Sequence, residues 1–541
     1  MRYKHKIPQT VVWLFFAVLL IAGLLTCPDY GLPCDEPAEQ VILQENMHEY
    51  AARLMGEDSQ AVRWYEQRGI QRISASIEKD HGQSAYYLFM PVLERFEEQP
   101  YELTVLWKAY TWLLFMLGCT AVYGFCRETG LNRFVSCMGV LLLYLCPRFF
   151  AEGHYNNKDM VLLTFMLCTL WQGVRFLKQP GFLRGLLFSL AGAFAFNTKV
   201  AGALGWGLMG IAAIVLVTAN RQWNRRLIGV ALSTVALFFA FYLMLTPAAW
   251  GDPFGYLSYL LVNASGFTRW TGVVVFRGMV FDHAVNPLPR YYLIWMMLAT
   301  LPLYVVPLAA IGQLSALWQV WKQRAKALAD PVSLSKTAAS LCWFLPLLAA
   351  ILMQPKVYNG WRHFYFVYAG VVLLAAHGIQ DCFYFLKKNG GDCGMPIVFA
   401  AGLILFFGWM AKEMMVNHPY QYGYYNLLGN RNAEADMELD YWDVSTVNAM
   451  EALTEIKRNE NLPLVLGGSD PMSWFGVYHG YQVLSPDVKA QLTITEEEQP
   501  PYLFFNTTYA RIYGIDAPQG YRELMTIESY GNTLCTIYEK Q

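Results

Sequence analysis

Long apolar runs alternate with short polar segments along most of this chain. A membrane-spanning helix needs about 20 mostly apolar residues, and about eleven segments come close to that length. They are Val11–Leu25, 103–125, 134–150, 159–177, 185–198, 200–219, 227–248, 291–317, 337–354, 363–386 and 395–412. The pattern therefore predicts a polytopic α-helical membrane protein with about eleven transmembrane helices.

Two longer polar segments interrupt this pattern. The first, residues 28–102, follows the first predicted span. Within it, Pro37–Met55 has apolar residues at helical spacing, which is typical of a helix that lies on a bilayer surface. These residues are Leu43, Met47, Tyr50, Ala51 and Leu54.

The second polar segment, 413–541, predicts a small α/β domain. A helix is expected over 446–459 with Ser445 as its N-cap. Strands are expected at Leu462–Leu466 and Tyr502–Asn506, and a hairpin over Leu524–Tyr538. We therefore divide the chain into a transmembrane domain, 1–412, and a C-terminal domain, 413–541.

The distribution of basic residues predicts the orientation of the helices. Short loops rich in Lys and Arg stay on the cytoplasmic side, and alternate loops here have at least two each. These residues are Arg2, Lys4 and Lys6; Arg127 and Arg133; Arg175, Lys178 and Arg184; Arg221, Arg225 and Arg226; Lys322, Arg324, Lys326 and Lys336; Lys387 and Lys388. With the N-terminus inside and an odd number of spans, the C-terminal domain and segment 28–102 lie outside.

Composition agrees with a membrane protein. The chain is 55% hydrophobic and 15% charged, against roughly 45–50% and about 25% in soluble domains. The net charge of −1 gives no indication of nucleic-acid binding. Cys27 and Cys34 lie close together outside the predicted helices, which leaves a disulfide between them open.

Several cations break the charge rule, because they fall at outer helix ends where Lys and Arg are normally scarce. They are Arg148, Lys158, Lys199, Arg277, Arg290, Lys356 and Arg362. Each one alone is explained equally well by contact with lipid headgroups. As a set, together with outer acids, they favour a site for a phosphate or pyrophosphate ligand.

Asp35 and Glu36 follow the first span and open the amphipathic helix. One interpretation is a helix start, with an acidic cap followed by Pro37 in the first turn. The other is a carboxylate pair at the membrane surface that acts as a general base on an acceptor hydroxyl. A second polar loop, Arg148 to Asp159, contains more charged and polar residues than a helix cap requires.

These motifs occur together in an order that resembles glycosyltransferases of the GT-C fold, specifically protein O-mannosyltransferases and bacterial aminoarabinose transferases (glycosyltransferase family 39 and relatives). The matching residues are Asp35-Glu36, His154 through Asp159, Thr198-Lys199, Pro247 through Trp250 with Asp252-Pro253, Arg362-His363, His418 through Asn426, and Asp440-Tyr441-Trp442. Two positions depart from the pattern. Asp443 stands where relatives often have Gly, and Asp80-His81-Gly82 is only a loose counterpart of their His-Pro-Pro.

The resemblance implies an inverting enzyme that transfers a sugar from a polyprenyl-phosphate donor to an acceptor on the outer face of a bacterial plasma membrane. Asp35 is then the candidate base, with Glu36 beside it and Asp159 as a second acidic position. The candidate substrate-binding residues are Arg148, His154, Lys158, Lys199, Arg277, Arg362 and His363. A divalent metal stays open, and so does the acceptor, which is a protein, a lipid or a cell-wall glycan.

Two other function classes compete with this hypothesis. A lipid-linked sugar transporter or flippase needs basic residues along a path through the membrane, and ion-coupled transporters usually have acids within their spans. Here the charges cluster at one face. A non-catalytic scaffold that presents the C-terminal domain leaves the outer acids and cations unexplained.

Overall fold

The computed structural model describes residues 7–266, 272–389, 394–458 and 463–541. The basic segment 1–6, on which part of the predicted orientation depends, lies outside these ranges. In chain order, the first helices are α1 (Gln9–Thr26), α2 (Glu36–Met55), α3 (Gln60–Gln67) and α4 (Met90–Phe96).

Residues 100–416 form a bundle of mostly apolar helices. In chain order they are α5 (Pro100–Glu128), α6 (Arg133–Tyr144), α7 (Pro147–Tyr155), α8 (Asp159–Lys178), α9 (Phe182–Thr198), α10 (Ala203–Ala219), α11 (Arg225–Leu245), α12 (Pro253–Gly266), α13 (Tyr292–Thr300), α14 (Val305–Gln323), α15 (Ala325–Leu328), α16 (Pro331–Met353), α17 (Tyr368–Asn389) and α18 (Met395–Val416). A 3-10 turn, Arg362–Val367, leads into α17. The strands β1 (Val273–Phe276) and β2 (Met279–Asp282) form a hairpin between α12 and α13.

This chain is a multi-pass membrane protein. Among the described residues, 8 helices are long and apolar enough to cross a membrane, or up to 10 if each of two bent pairs is one span. Every predicted apolar segment coincides with a helix or a bent pair, but α9 has only 17 residues. The predicted number of about eleven spans is therefore not confirmed.

Prolines explain the two bent pairs, each of which the sequence pattern predicts as one span. α6 and α7 meet at 72°, and α13 and α14 meet at 116°. Pro147 begins α7, and Pro302 lies in the break before α14. Proline removes a backbone N–H and disfavours helical geometry in the residue before it, so an apolar run that contains one splits into two helices.

Helix α8 lies at the centre of the bundle. In its apolar window 89% of the residues are buried, against 17% for α11 and for α18. Close packing elsewhere depends on glycine. A Cβ on Gly312 would lie 1.9 Å from the Leu374 carbonyl oxygen, and one on Gly378 would lie 1.9 Å from that of Leu308. Small residues thus let α14 and α17 approach through their backbones.

Helix α2 differs from the surface helix that its spacing predicts. Of the expected apolar face, Leu43 and Ala51 are buried, whereas Leu54 is 70% exposed. The helix also buries several polar side chains, including Glu39 and Glu49. These polar groups have partners, so α2 packs into the protein through a mixed face.

The C-terminal part is the predicted α/β domain. Its elements are α19 (Ala433–Asp436), α20 (Ser445–Ile456), β3 (Leu464–Gly468), α21 (Pro471–Val483), α22 (Pro486–Lys489), β4 (Leu492–Ile494), β5 (Tyr502–Asn506), α23 (Thr507–Tyr513), β6 (Tyr521–Ser529) and β7 (Asn532–Lys540). The strand order is β4-β3-β5-β7-β6. β3 is parallel to β4 and β5, whereas β7 is antiparallel to β5 and β6.

The predicted elements of this domain hold with two changes. Leu462 and the predicted helix end at 459 lie outside the described residues, and the strand begins at Leu464. The prediction that Ser445 caps α20 is wrong, because Ser445 is the first helical residue. Instead, the Asp440 carboxylate accepts from the backbone N–H groups of Val444 at 3.1 Å and Ser445 at 3.0 Å.

The start of the C-terminal segment is packed on the bundle. The Asn426 amide donates to the carbonyl oxygens of Leu298 at 2.6 Å and Leu301 at 2.7 Å, at the end of α13. The Tyr30 hydroxyl donates to Gln421 at 2.9 Å. The boundary at 412/413 stays a prediction, but the two parts share a hydrogen-bonded interface.

Candidate active site

Several helix ends of the bundle meet at a cavity of about 710 Å³. Segments far apart in sequence contribute to it, because α8 begins there, α9 ends there and the 3-10 turn before α17 begins there. Of the ten predicted site residues, the cavity is lined by Asp35, Lys158, Asp159, Lys199, Arg362 and His363. The structure thus brings this part of the predicted set together at one end of the bundle.

Three ion pairs are arranged around the cavity. Arg362 Nη1 lies 3.3 Å from Asp35 Oδ2, and Lys199 Nζ lies 2.5 Å from Asp159 Oδ1. The third pair joins Lys158 to Glu39. Each carboxylate therefore holds a cation at the cavity surface, and each buried charge is compensated by an opposite one.

The pairing changes how two of these groups titrate. Burial alone would raise the pKa of Asp35, but Arg362 and Lys158 outweigh it and lower the pKa below its ordinary value. Burial alone would lower the pKa of Lys158, but Glu39 and Asp35 raise it above the ordinary lysine value. Both groups are therefore charged at neutral pH.

Asn156 holds Asp159 in place at the start of α8. Its side-chain oxygen accepts from the backbone N–H of Asp159 at 2.8 Å and of Lys158 at 3.3 Å. Its amide donates to Glu152 at 2.7 Å and to Asp159 at 3.3 Å. Glu152 in turn accepts from the Tyr365 hydroxyl at 2.6 Å. Buried partners thus set the direction of the Asp159 carboxylate.

The opposite side of the cavity comes from the first outer segment and α12. Here the lining side chains are mostly acids and amides, namely Glu45, Gln71, Glu78, Asp80 and Asn263. His81 connects the two sides, with Nδ1 2.7 Å from Glu78 and 3.4 Å from Lys158 Nζ. The weak sequence signal at Asp80-His81 therefore belongs to the cavity. We call the part lined by Lys158, Lys199, Lys356 and Arg362 the cationic side, although carboxylates pair with three of these cations, and the part lined by acids and amides the acidic side.

Two of the predicted site residues, the carboxylate Glu36 and the cation Arg277, lie outside the cavity. Glu36 is 2% exposed and accepts from Thr104 at 2.9 Å, and burial raises its pKa to about 7. It points away from the cavity because it lies next to Asp35 at the start of a helix, where successive side chains diverge. Arg277 is exposed at the turn of the β1–β2 hairpin. Neither residue lines the cavity.

Arg148 and His154 are buried inside the bundle. The Arg148 guanidinium lies 5.3 Å from the centre of the Tyr425 ring. The His154 ring stacks on Trp112 at 4.3 Å and on Tyr30 at 4.4 Å. Such packing is typical of a histidine in a protein core. Arg148 and His154 therefore lie outside the proposed site.

Three residues of the site were missed as candidates by sequence reasoning: Glu39, Asn156 and Trp442. Glu39 lies one helical turn after Asp35, and that spacing places both on one side of α2. Asn156 stands in the recognised loop, but its role depends on contacts with Glu152. Trp442 belongs to the matching motif Asp440-Tyr441-Trp442, but nothing in that motif indicates that it lines a cavity with Asp35.

The sequence left open a disulfide between Cys27 and Cys34 and a divalent metal at the site. Cys27 and Cys34 both have free thiols, so the disulfide that the sequence left open is not formed. Within the described ranges, no three His, Cys, Asp or Glu side chains converge in a way that could hold a metal ion. Around the cavity, positive charge comes from lysine and arginine side chains.

The backbone conformation of Asp443 explains how this residue can stand where proteins of similar sequence pattern often have glycine. Asp443 has a φ of 57°, in the left-handed region that glycine adopts freely and aspartate tolerates better than most residues. The Asn506 amide donates to Asp443 Oδ1 at 2.5 Å and to the Asp440 carbonyl oxygen at 2.9 Å. The turn that places Trp442 is therefore retained without glycine.

No family model matches the chain, and no curated protein matches it by sequence. Among solved structures, ArnT from Cupriavidus metallidurans bound to undecaprenyl phosphate has a TM-score of 0.47 and 13% identity, covering 98% of both chains. The oligosaccharyltransferase AglB from Archaeoglobus fulgidus, in complex with an inhibitory peptide and a dolichol-phosphate, has a TM-score of 0.45 and 11% identity, covering 97% of this chain and 74% of AglB. The arabinofuranosyltransferase AftD from mycobacteria has a TM-score of 0.43 and 12% identity, covering 99% and 42%. At TM-scores below 0.5, the activity of this chain has to be inferred from its own residues.

Proposed function

We propose that this protein is a membrane glycosyltransferase that uses a polyprenyl-phosphate-linked sugar as donor. One observation carries the proposal: Asp35, Asp159 and Glu39 each pair with a cation around one cavity at one end of the membrane bundle. A lipid-linked donor reaches such a site from the bilayer, with its phosphate at the level of the helix ends. The cavity volume of about 710 Å³ lies within the range of small-molecule sites.

The transfer begins at the acceptor hydroxyl. Asp35 accepts the hydroxyl proton while the acceptor oxygen forms a bond to the sugar C1. The bond between C1 and the phosphate oxygen breaks, and the polyprenyl phosphate leaves with the bonding electrons. Attack opposite to the leaving group inverts the configuration at C1. The lowered pKa of Asp35 keeps this carboxylate ionised and able to accept the proton.

The cationic side of the cavity stabilises the leaving phosphate. Arg362, Lys158 and Lys199 line it together with Lys356, and preorganised cations lower the energy of charge that develops in the transition state. The ion pairs hold three of these cations in place before the donor binds. The acidic side then faces the sugar or acceptor, where carboxylates and amides accept from hydroxyl groups.

The competing classes fit these contacts less well. A flippase moves its lipid-linked sugar across the bilayer, and the ion pairs that line this cavity lie at one end of the helices. A scaffold needs no cavity with three ion pairs on its surface. Transfer of the sugar and movement of the lipid between leaflets therefore have to be measured separately.

The test uses the purified full-length protein in liposomes that contain undecaprenyl-phosphate-linked sugars and an envelope extract as acceptor. We expect release of undecaprenyl phosphate and appearance of the labelled sugar in product. Movement of the labelled lipid between leaflets without release would support the flippase instead. Mass spectrometry of a deletion strain should show accumulated lipid-linked sugar and a missing envelope glycan, and neither change would occur for a scaffold.

A further inference from the structure

Arg362 is enclosed by aromatic rings from two different parts of the chain. Its guanidinium carbon lies 4.6 Å from the ring centre of Tyr358, 5.2 Å from that of Tyr441 and 4.6 Å from that of Trp442. Tyr358 comes from the loop before the 3-10 turn, whereas the other two rings belong to the C-terminal segment. Cations are attracted to such ring faces within about 6 Å.

Few hydrogen bonds compete with the rings for the orientation of Arg362. Arg362 Nη1 donates to Asp35 Oδ2 at 3.3 Å, and within the described residues its buried Nε has no hydrogen-bond partner. The side chain is 5% exposed. The plane of the guanidinium is therefore set mainly by the ring faces against which it lies.

Trp442 also contacts, through its backbone, the residue that precedes Asp35. Its carbonyl oxygen accepts from the Cys34 N–H at 2.9 Å, and Cys34 directly precedes Asp35. Its side chain lies against Arg362 and lines the cavity. Trp442 thus contacts Arg362 with its ring and, with its backbone, Cys34 next to Asp35.

The segment around Trp442 is held firmly. Asp440 accepts from two backbone N–H groups at the start of α20, and Asn506 donates to both Asp440 and Asp443. A Cβ on Gly31 would lie 2.1 Å from the Val444 carbonyl oxygen, so glycine at this position allows the two backbones to meet. The C-terminal segment is fixed against the residues that lead into Asp35.

We propose that Trp442 is a positioning residue that holds Arg362 in the orientation needed to bind the phosphate of the lipid donor. This inference rests on the proposed function. It makes the C-terminal domain part of the active site, because a domain that only presents an acceptor would not touch the phosphate-binding cation.

The test measures binding of undecaprenyl phosphate to the purified full-length protein in detergent. Trp442→Leu keeps an apolar side chain but removes the ring face, and Trp442→Phe keeps a ring. We expect the Kd to rise about tenfold in Trp442→Leu, the order expected for a desolvated cation–ring contact. Trp442→Phe should stay within about threefold of the native Kd. Tyr478→Ala, an exposed ring of the same domain, should bind normally.

A double-mutant cycle separates positioning from general structure. If Trp442 acts through Arg362, Trp442→Leu should cause no further loss of binding in an Arg362→Ala background. Additive losses, or an unchanged Kd in Trp442→Leu, would overturn this inference. If Trp442→Leu does not fold, as judged by its thermal unfolding, Trp442→Met, which also lacks a ring face, takes its place in both measurements. A native protein that binds no undecaprenyl phosphate would overturn the proposed donor itself, so the two failures differ.

Discussion

Arg362 Nη1 lies 3.3 Å from Asp35 Oδ2, although 327 residues separate them in sequence. Asp35 stands at the N-cap of α2, yet in the described structure its side chain makes no capping hydrogen bond to the helix. The carboxylate instead faces a cation and the cavity. This contact favours the base over the helix cap, the two interpretations that the sequence left open.

Asp35→Asn should abolish most transfer without unfolding the protein. Asn retains the shape of the side chain but accepts no proton, so sugar transfer should fall by roughly 10²–10⁴-fold, the usual worth of a general base. The measurement is a transfer assay with protein level in the membrane determined in parallel. Asp58→Asn, an exposed acid of the same segment, is the matched control. Near-native transfer by Asp35→Asn would leave Asp159 as the next candidate base.

Arg362→Gln should move the acidic side of the pH–rate profile to higher pH. Arg362 helps to lower the pKa of Asp35, and a carboxylate with a lowered pKa stays ionised until the pH falls through that value. Removing the guanidinium raises the pKa, so the base is protonated, and activity lost, at a higher pH than in the native protein. Arg458→Gln, exposed in the C-terminal domain, should leave the profile unchanged. An acidic limb that does not move would show that Arg362 does not control the base.

Lys158→Met should affect both stability and donor use. It leaves Glu39, whose side chain is 1% exposed, without its ion partner, and removing one member of a buried pair costs about 3–5 kcal/mol. Combining it with Glu39→Gln should restore the thermal unfolding temperature. Use of the donor should stay low in Lys158→Met and in the double variant. In each, stabilisation of the donor phosphate should be weaker by roughly 1.5–3 kcal/mol, the value of a lost charge-assisted hydrogen bond. Recovery of donor kinetics along with stability would show that Lys158 has only a structural role.

Asn156→Ala should lower transfer by misplacing Asp159. Hydrogen bonds to charged groups contribute about 1.5–3 kcal/mol, so kcat/KM should fall roughly 10–100-fold. Because Asp159 stays ionised through Lys199, the loss should appear without a large change in expression. Asn220→Ala, an exposed asparagine on the bundle, is the control. Equal kinetics in the two variants would contradict a role for Asn156 in orienting Asp159.

The predicted topology places the C-terminal domain outside the cell. A phosphatase fused after Gln541, which is active only outside the cytoplasm, should be active, and a fusion at Lys388 should be inactive. The basis is the excess of Lys and Arg in alternate short loops. Activity that appears only in the Lys388 fusion would reverse the face on which the cavity opens.

Local patterns predicted the elements of the fold but not their breaks. Each apolar run became a helix because a backbone in lipid must satisfy its own hydrogen bonds. Pro147 and Pro302 split two of these runs, and their bends of 72° and 116° depend on neighbouring helices. The same limit applies to the site. Lys158, Lys199 and Arg362 were found from charge at predicted helix ends, whereas Arg148 shared that signal and is buried beside the Tyr425 ring.

The sequence by itself determined that this chain crosses the membrane several times, ends in an α/β domain and has an unusual set of acids and cations at its helix ends. These properties follow from hydropathy, periodicity and charge, which are local along the chain. Only the tertiary structure decided which of those charges share a cavity, that Asp35 pairs with Arg362, and that the ring of Trp442 in the C-terminal segment lies against Arg362. Such contacts depend on how helices distant in sequence pack together, and no short-range pattern records that.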